Sequence, residues 1–237
     1  MLYAWRLSLN CLTIFNQSFL CLQSRFTQPL PMRAKGNGIY EQKFEHLNAR
    51  NISVGSTCAS YKYFQHVEEE LRYDLTFKPH ILDAARQWLE RRIPIKWKDK
   101  GFVRVLIHVR RTDFTKPLYE RHGWIMPTAE YFRRSMSYFT DCLDQVQFVV
   151  LSDDTAWCME HIKATDIVYT DTRSPIRDLA IASLCDHAII TVGTYGWWAA
   201  WFANGVTITQ NDIPRNGSNL SKDYYRTDHY KPDWIGL

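Results

Sequence analysis

The sequence predicts an α/β fold built on a parallel sheet, and two observations carry that prediction. After Lys100, short β-branched runs alternate with windows of helical periodicity, the order that successive strand–helix–strand units require. Three of those runs are also followed directly by polar clusters, HVRRTD, SDD and GTYG, placed where a parallel sheet gathers its ligands.

Taken from the amino end, residues 7–24 form an uncharged stretch between Arg6 and Arg25. Its length suits a short signal-anchor, but Asn10, Thr13, Asn16, Gln17 and several serines dilute it, so an ordinary amphipathic core segment is the other reading. QPLPMRAKGNG at 28–38 has linker composition and marks a boundary, leaving 1–38 unassigned. Residues 39–99 form the next segment. In it Phe64, Val67, Leu71 and Leu75, then Ile81, Leu82, Ala85, Trp88 and Leu89, recur at helical spacing, predicting two amphipathic helices parted near Pro79.

Residues 100–237 carry the α/β pattern. Phe102–Val109 reads as a first strand, and Thr128–Leu143 as a helix with Phe132, Met136, Phe139 and Leu143 on one face. Val146–Leu151 is a second strand, Thr155–Lys163 a short helix and Ile167–Tyr169 a third strand. Ser174 and Pro175 suit the N-cap and first position of a helix running to Leu184. His187–Val192 is a fourth strand, GTYG a turn, Trp197–Ala203 a helix and Val206–Thr209 a fifth strand. The uncharged run from Ala188 to Asn211 is long, yet its glycines, threonines and Gln210 make it a buried strand, turn and helix rather than a span.

Composition narrows the function classes. With 46% hydrophobic, 14% aromatic and 23% charged residues, the chain is globular rather than disordered or collagenous. A net charge of +4 is too small for a general nucleic-acid coat, so phosphate recognition has to be local. The six cysteines show neither C-x-x-C pairing nor a His spacing suited to zinc, and they are open to disulfides or to buried free thiols. Four N-x-S/T sequons, at Asn16, Asn51, Asn216 and Asn219, point to the secretory pathway.

The three strand ends hold the candidate chemistry. Adjacent Arg110 and Arg111 place one guanidinium over the sheet's edge, where it takes phosphate oxygens, while alternation turns the other elsewhere; the rival reading pairs both with Asp113 and nearby carboxylates. In GTYG the glycines admit an anion to backbone N–H groups at the following helix's positive end, or serve only the dihedrals of a tight turn. G-x-x-x-x-G-K-[ST] and G-x-G-x-x-G are both missing, which removes the common ATPase and dinucleotide fingerprints. No D-x-D triplet occurs either, so a donor diphosphate would rest on positive side chains and backbone dipoles, with no metal.

IHVRRTDF at 107–114, FVVLSDDTAWCMEHI at 148–162 and RDLAIASLCDHAIITVGTYGWWAAWFANG at 177–205 resemble the animal galactoside α-1,2-fucosyltransferases, glycosyltransferase family 11. TCASYKYFQHVEEELRYDLTF at 57–77 and the ending KPDWIGL extend the resemblance in co-linear blocks over about residues 40 to 237. It implies a GT-B-like architecture with a Rossmann-type donor domain, a GDP-fucose donor and no metal cofactor. It also implies an N-glycosylated, lumenally facing enzyme of the Golgi membrane. By position Arg110 is similar to the family's diphosphate-holding arginine, with Arg111 in support. His108, Asp153, Asp178 and Gly193, Thr194, Tyr195 and Gly196 match positions expected around the nucleotide.

The reaction implied is inverting transfer of L-fucose from GDP-β-L-fucose to a galactose hydroxyl of a glycan acceptor. Asp113, Glu120 and Asp154 are the carboxylates near the strand ends, and none is singled out as the general base. Two departures resemble the α-1,6 core-fucosylating enzymes instead: Thr112 where the galactoside family commonly has Gly, and Ser152-Asp153-Asp154 in place of a more neutral run. The family's G-x-G-N-Q motif has no counterpart here, so the expected chain lacks the amino-terminal half of the catalytic region. The rivals are a non-catalytic GDP-sugar or glycan-binding paralogue, and a phosphate-binding domain with an unrelated ligand.

Overall fold

The computed structural model describes residues 33–34, 53–54, 60–97, 101–171, 174–222 and 224–237. The chain divides into two compact units, Met1–Pro79 with Ser221–Pro232, and His80–Leu220 with Asp233–Leu237. In the first, Arg33–Ala34 pairs in parallel with Ser53–Val54. Two 3-10 turns, Tyr61–Tyr63 and Gln65–Val67, lead into helix α1, Glu68–Asp74, whose first turn is three glutamates, a sequence that suits the positive end of a helix. Glu68 takes both Arg72 and Lys231, and Lys62 pairs with Asp228 beside the short helix Arg226–His229. Tyr61, Tyr63, Phe64, Leu75 and Phe77 are buried there.

The second unit holds the site. Its strands are β1 Val103–Val109, β2 Val146–Ser152, β3 Ile167–Tyr169, β4 His187–Ile190, β5 Thr207–Thr209 and β6 Ile235–Gly236. They form one parallel sheet in the order β3-β2-β1-β4-β5-β6. That is the doubly wound order, in which the chain runs outward in both directions from β1 and leaves a crevice beyond the carboxyl ends of β1 and β4. The sheet centre reads as continuous apolar sequence because both its faces are covered.

On one face, Val105, Ile107 and Val109 of β1 pack with Tyr131, Phe132, Met136 and Phe139 of α4, Ala129–Thr140. Thr128 caps α4, its hydroxyl accepting the Tyr131 N–H at 3.2 Å. Cys158 of α5, Thr155–His161, completes that cluster. The opposite face carries α6, Pro175–Ala182, and α7, Thr194–Ala203. Helix α2, Pro79–Glu90, begins at the proline expected to part the two helices and buries Ala85, Trp88 and Leu89.

Three differences from the sequence reading are physical. Residues Thr194–Gly196 are the first turn of α7 and not a turn before it, because Gly193 takes φ 100° as the N-cap and the Trp197 N–H already bonds the Gly193 carbonyl at 3.2 Å. A short helix α3, Pro117–His122, follows the arginine loop without an apolar stripe to announce it. The sixth strand has only two residues, too short for a periodic signal. Among the described residues no helix is long and apolar enough to cross a membrane, and residues 7–24 lie outside them.

Candidate functional site

The parallel register sets the site. Val109 pairs with Ser152 and His108 with both Leu151 and Ile190, so Arg110, Asp153 and Gly193 all leave the sheet at its carboxyl edge. The three predicted clusters therefore share one edge, with Arg110 and Gly193 at the β1/β4 switch point.

Arg110 and Arg111 diverge as alternation requires. Arg110 turns toward the start of α7: a Cβ built on Gly193 would lie 2.9 Å from its Nη1 and 3.2 Å from its Cδ. Its backbone N–H donates to Thr191 Oγ1 at 3.0 Å, and its guanidinium lies 4.8 Å from the Phe114 ring centre. Asp113 engages the fork at two points, Nε to Oδ1 at 3.0 Å and Nη2 to Oδ2 at 2.6 Å. The hydrogen bond from Arg110 holds the Asp113 carboxyl below its ordinary value. The side chain is thus paired with Asp113, as the rival reading of Arg110 has it, and the pairing leaves Nη1 facing the glycine.

Arg111 turns the other way. Its guanidinium carbon lies over Trp157, 3.8 Å from the ring centre, and its Nε donates to Asp154 Oδ2 at 3.3 Å. Asp154 is also the N-cap of α5, accepting the Trp157 N–H at 3.2 Å. Asp153 accepts the Arg111 and Thr112 N–H groups and the Thr112 hydroxyl. Thr191, Thr112, Phe114 and Trp157 were not legible as partners in the sequence; their only signal there is proximity to a strand end or to an acidic cap.

His108 is buried beneath the crevice on the α7 face. Its Nδ1 has no hydrogen-bond partner among the described residues, and a Cβ on Gly196 would come within 2.4 Å of it. Burial pushes the imidazole down to about 4, with Arg110 acting in the same direction and Asp153 against it, so the ring is neutral at physiological pH. Tyr195 lies beside it at 5.5 Å between ring centres and donates its hydroxyl to the Pro175 carbonyl at 2.6 Å. Burial, with the nearby Asp178 charge adding to it, keeps that phenol protonated. Asp178 is half-buried in the first turn of α6, and Thr194 is exposed at the start of α7.

Of the sequons, Asn216 and Asn219 are exposed, and Asn16 and Asn51 lie outside the described residues. Cys142, Cys158 and Cys185 are free thiols. Among the described residues no group of three or more His, Cys, Asp or Glu side chains is placed to hold a metal ion. A separate cavity of about 610 Å³ opens toward the amino ends of β2 and β3, lined by Phe132, Met136 and Phe148 with Glu130, Arg133 and Lys163.

Residues 7–237 match the family model described as Glycosyl transferase family 11. The chain is 30% identical over 201 residues to galactoside alpha-(1,2)-fucosyltransferase 1 of Ateles belzebuth, and likewise to that of Lagothrix lagotricha. Each alignment takes in 83% of this chain and 55% of the relative, so the chain spans about half the length of the curated relatives it matches. Among solved structures it is similar to POFUT1 in complex with GDP, with a TM-score of 0.44 at 13% identity over 67% of this chain and 54% of that one. It is also similar to the β-Kdo 2,4 transferase KpsC of Thermosulfurimonas dismutans, with a TM-score of 0.34 at 12% identity over 68% and 56%.

Proposed function

The chain belongs to glycosyl transferase family 11, and from that premise we propose that its crevice beyond β1 and β4 binds the diphosphate of GDP-β-L-fucose. The protein then transfers L-fucose, with inversion, to a galactose hydroxyl of a glycan. One observation carries this reading: Arg110 Nη1 and the amino end of α7 converge on Gly193, the residue whose missing side chain lets the guanidinium come that close to the helix start.

The chemistry follows from what converges there. As the glycosidic bond breaks, fucose acquires oxocarbenium character and negative charge grows on the β-phosphate of the departing GDP. Arg110 offers a fixed positive charge to that oxygen, and its pairing with Asp113 restrains the fork in advance. The N–H groups of Thr194, Tyr195 and Gly196 open a ten-residue helix and have no intrahelical acceptor, so they supply donors and a positive dipole end. The Thr194 hydroxyl adds a neutral donor. His108 stays uncharged below them and shapes the floor. Because cationic and dipolar groups supply the charge, we assign the donor site no metal.

Arg111, Asp153 and Asp154 act behind this surface through the contacts already described. Of the three carboxylates near the edge, Asp113 is a poor base because Arg110 holds it ionised, Asp154 caps α5, and Glu120 is exposed on α3. The general base is left unassigned. The four sequons and the uncharged amino-terminal stretch support placing the protein at the Golgi membrane with a lumenal catalytic domain.

Calorimetric titration with GDP, GDP-fucose and GDP-mannose, followed by turnover of labelled GDP-fucose with lactose, tests the reading. Binding of GDP and GDP-fucose, and transfer to lactose, are expected. Binding without transfer would favour a non-catalytic paralogue. No GDP binding would remove the donor-site assignment.

A further inference from the structure

Asp153 occupies the position, just after the second strand of a doubly wound sheet, where an acidic residue commonly holds a ribose hydroxyl. In this chain its oxygens are otherwise engaged. Oδ1 accepts the Arg111 N–H at 2.9 Å, and Oδ2 accepts the Thr112 N–H at 3.2 Å and the Thr112 hydroxyl at 2.6 Å. A carboxylate has about four lone-pair sites, so three are taken. All three bonds go to the loop that leaves β1, and they cross from β2 because Val109 and Ser152 are register partners.

That loop is the one that aims Arg110. Its other side is tied by the Arg110 N–H to Thr191 on the strand-end segment after β4, so the arginine backbone is held from both neighbouring strand ends. A glycine at position 112 would keep the N–H bond to Asp153 and lose the hydroxyl bond, the shortest of the three.

We infer that Asp153 and Thr112 form a positioning pair that fixes the Arg110–Arg111 loop, and that Asp153 is not a ligand of the nucleotide. The inference rests on the reading of Arg110 as the diphosphate-holding residue, and its test separates the two. NMR-detected titrations with GDP and with inorganic pyrophosphate would be run on the wild type and on Thr112→Val, Thr112→Ser and Asp153→Asn. Hydrogen exchange of the Arg111 and Thr112 amides would be followed in the same samples.

Thr112→Val should weaken GDP and pyrophosphate alike, by about tenfold, and speed exchange of the two amides by a similar factor. Thr112→Ser, which keeps the hydroxyl, should restore wild-type values. Thr112→Val added to Asp153→Asn should cost less than it does alone, because one interaction has already been lost. If Asp153→Asn weakened GDP but left pyrophosphate affinity and amide exchange unchanged, Asp153 would be a ribose ligand and the positioning role would be overturned. Unchanged exchange in Thr112→Val would also overturn it. A wild type that bound neither ligand would instead remove the donor-site reading, while the exchange data would still decide whether the pair holds the loop.

Discussion

The two ends of the central sheet offer a ligand different things. At the amino ends of β2 and β3 lies a cavity of about 610 Å³ whose charged groups largely answer one another: Arg133 pairs with Glu130 at 2.5 Å, and Asp166 with Lys96 at 2.7 Å. At the carboxyl ends, one guanidinium edge, the first N–H groups of α7 and a buried imidazole meet around two glycines. The difference teaches that enclosed space alone does not gather donors. What matters is whether donors converge with capacity left over, and the topology of a doubly wound sheet brings that about at one end only.

Substitutions at the two ends should therefore have unequal effects. Arg110→Ala should lower GDP affinity by about 2–4 kcal/mol, the range for losing a charged contact in a partly dry site, with little change in thermal stability because Asp113 is open enough to be hydrated. Lys163→Ala, at the cavity, should leave GDP affinity unchanged. Equal losses in the two variants would erase the contrast between the ends.

The carboxyl end should also carry a pH signature. Burial lowers His108 to about 4, so the unfolded chain takes up a proton as pH falls below about 6.5 while the folded chain does so only near 4. Stability is complete above that window, declines as pH falls through it by about 3 kcal/mol, and levels off below it. Urea denaturation from pH 7 to pH 4 should show this slope in the wild type and a flatter one in His108→Gln. A slope the two proteins share would assign it to other groups. Smaller still, Thr194→Val keeps the helix start and removes one neutral donor, and should weaken GDP by about 0.5–1.5 kcal/mol.

Much of this was legible in advance, and the rest failed for identifiable reasons. The first five strands announced themselves because a sheet covered on both faces needs unbroken apolar, β-branched sequence, and Val103–Val109 and Val146–Ser152 have it. The start of α7 did not, since its buried TYGWWAAWFA sequence is apolar around the whole helix and has no periodic face to mark its first turn. Opposite directions for Arg110 and Arg111 followed from strand alternation. The partners they found, Thr191 and Trp157, depend on which strands neighbour β1, a fact of topology that no local pattern contains. Asp153 shows the same limit: its place after β2 was visible, but its bonds to the Arg111 and Thr112 loop required the register.

Backbone NMR of the labelled protein titrated with GDP tests the central claim most directly. The account predicts that the largest shifts fall on Arg110, Gly193, Thr194, Tyr195 and Gly196, with Glu130, Arg133 and Lys163 unmoved. Shifts concentrated on the residues of the amino-end cavity, with Arg110 and Gly193 silent, would contradict it.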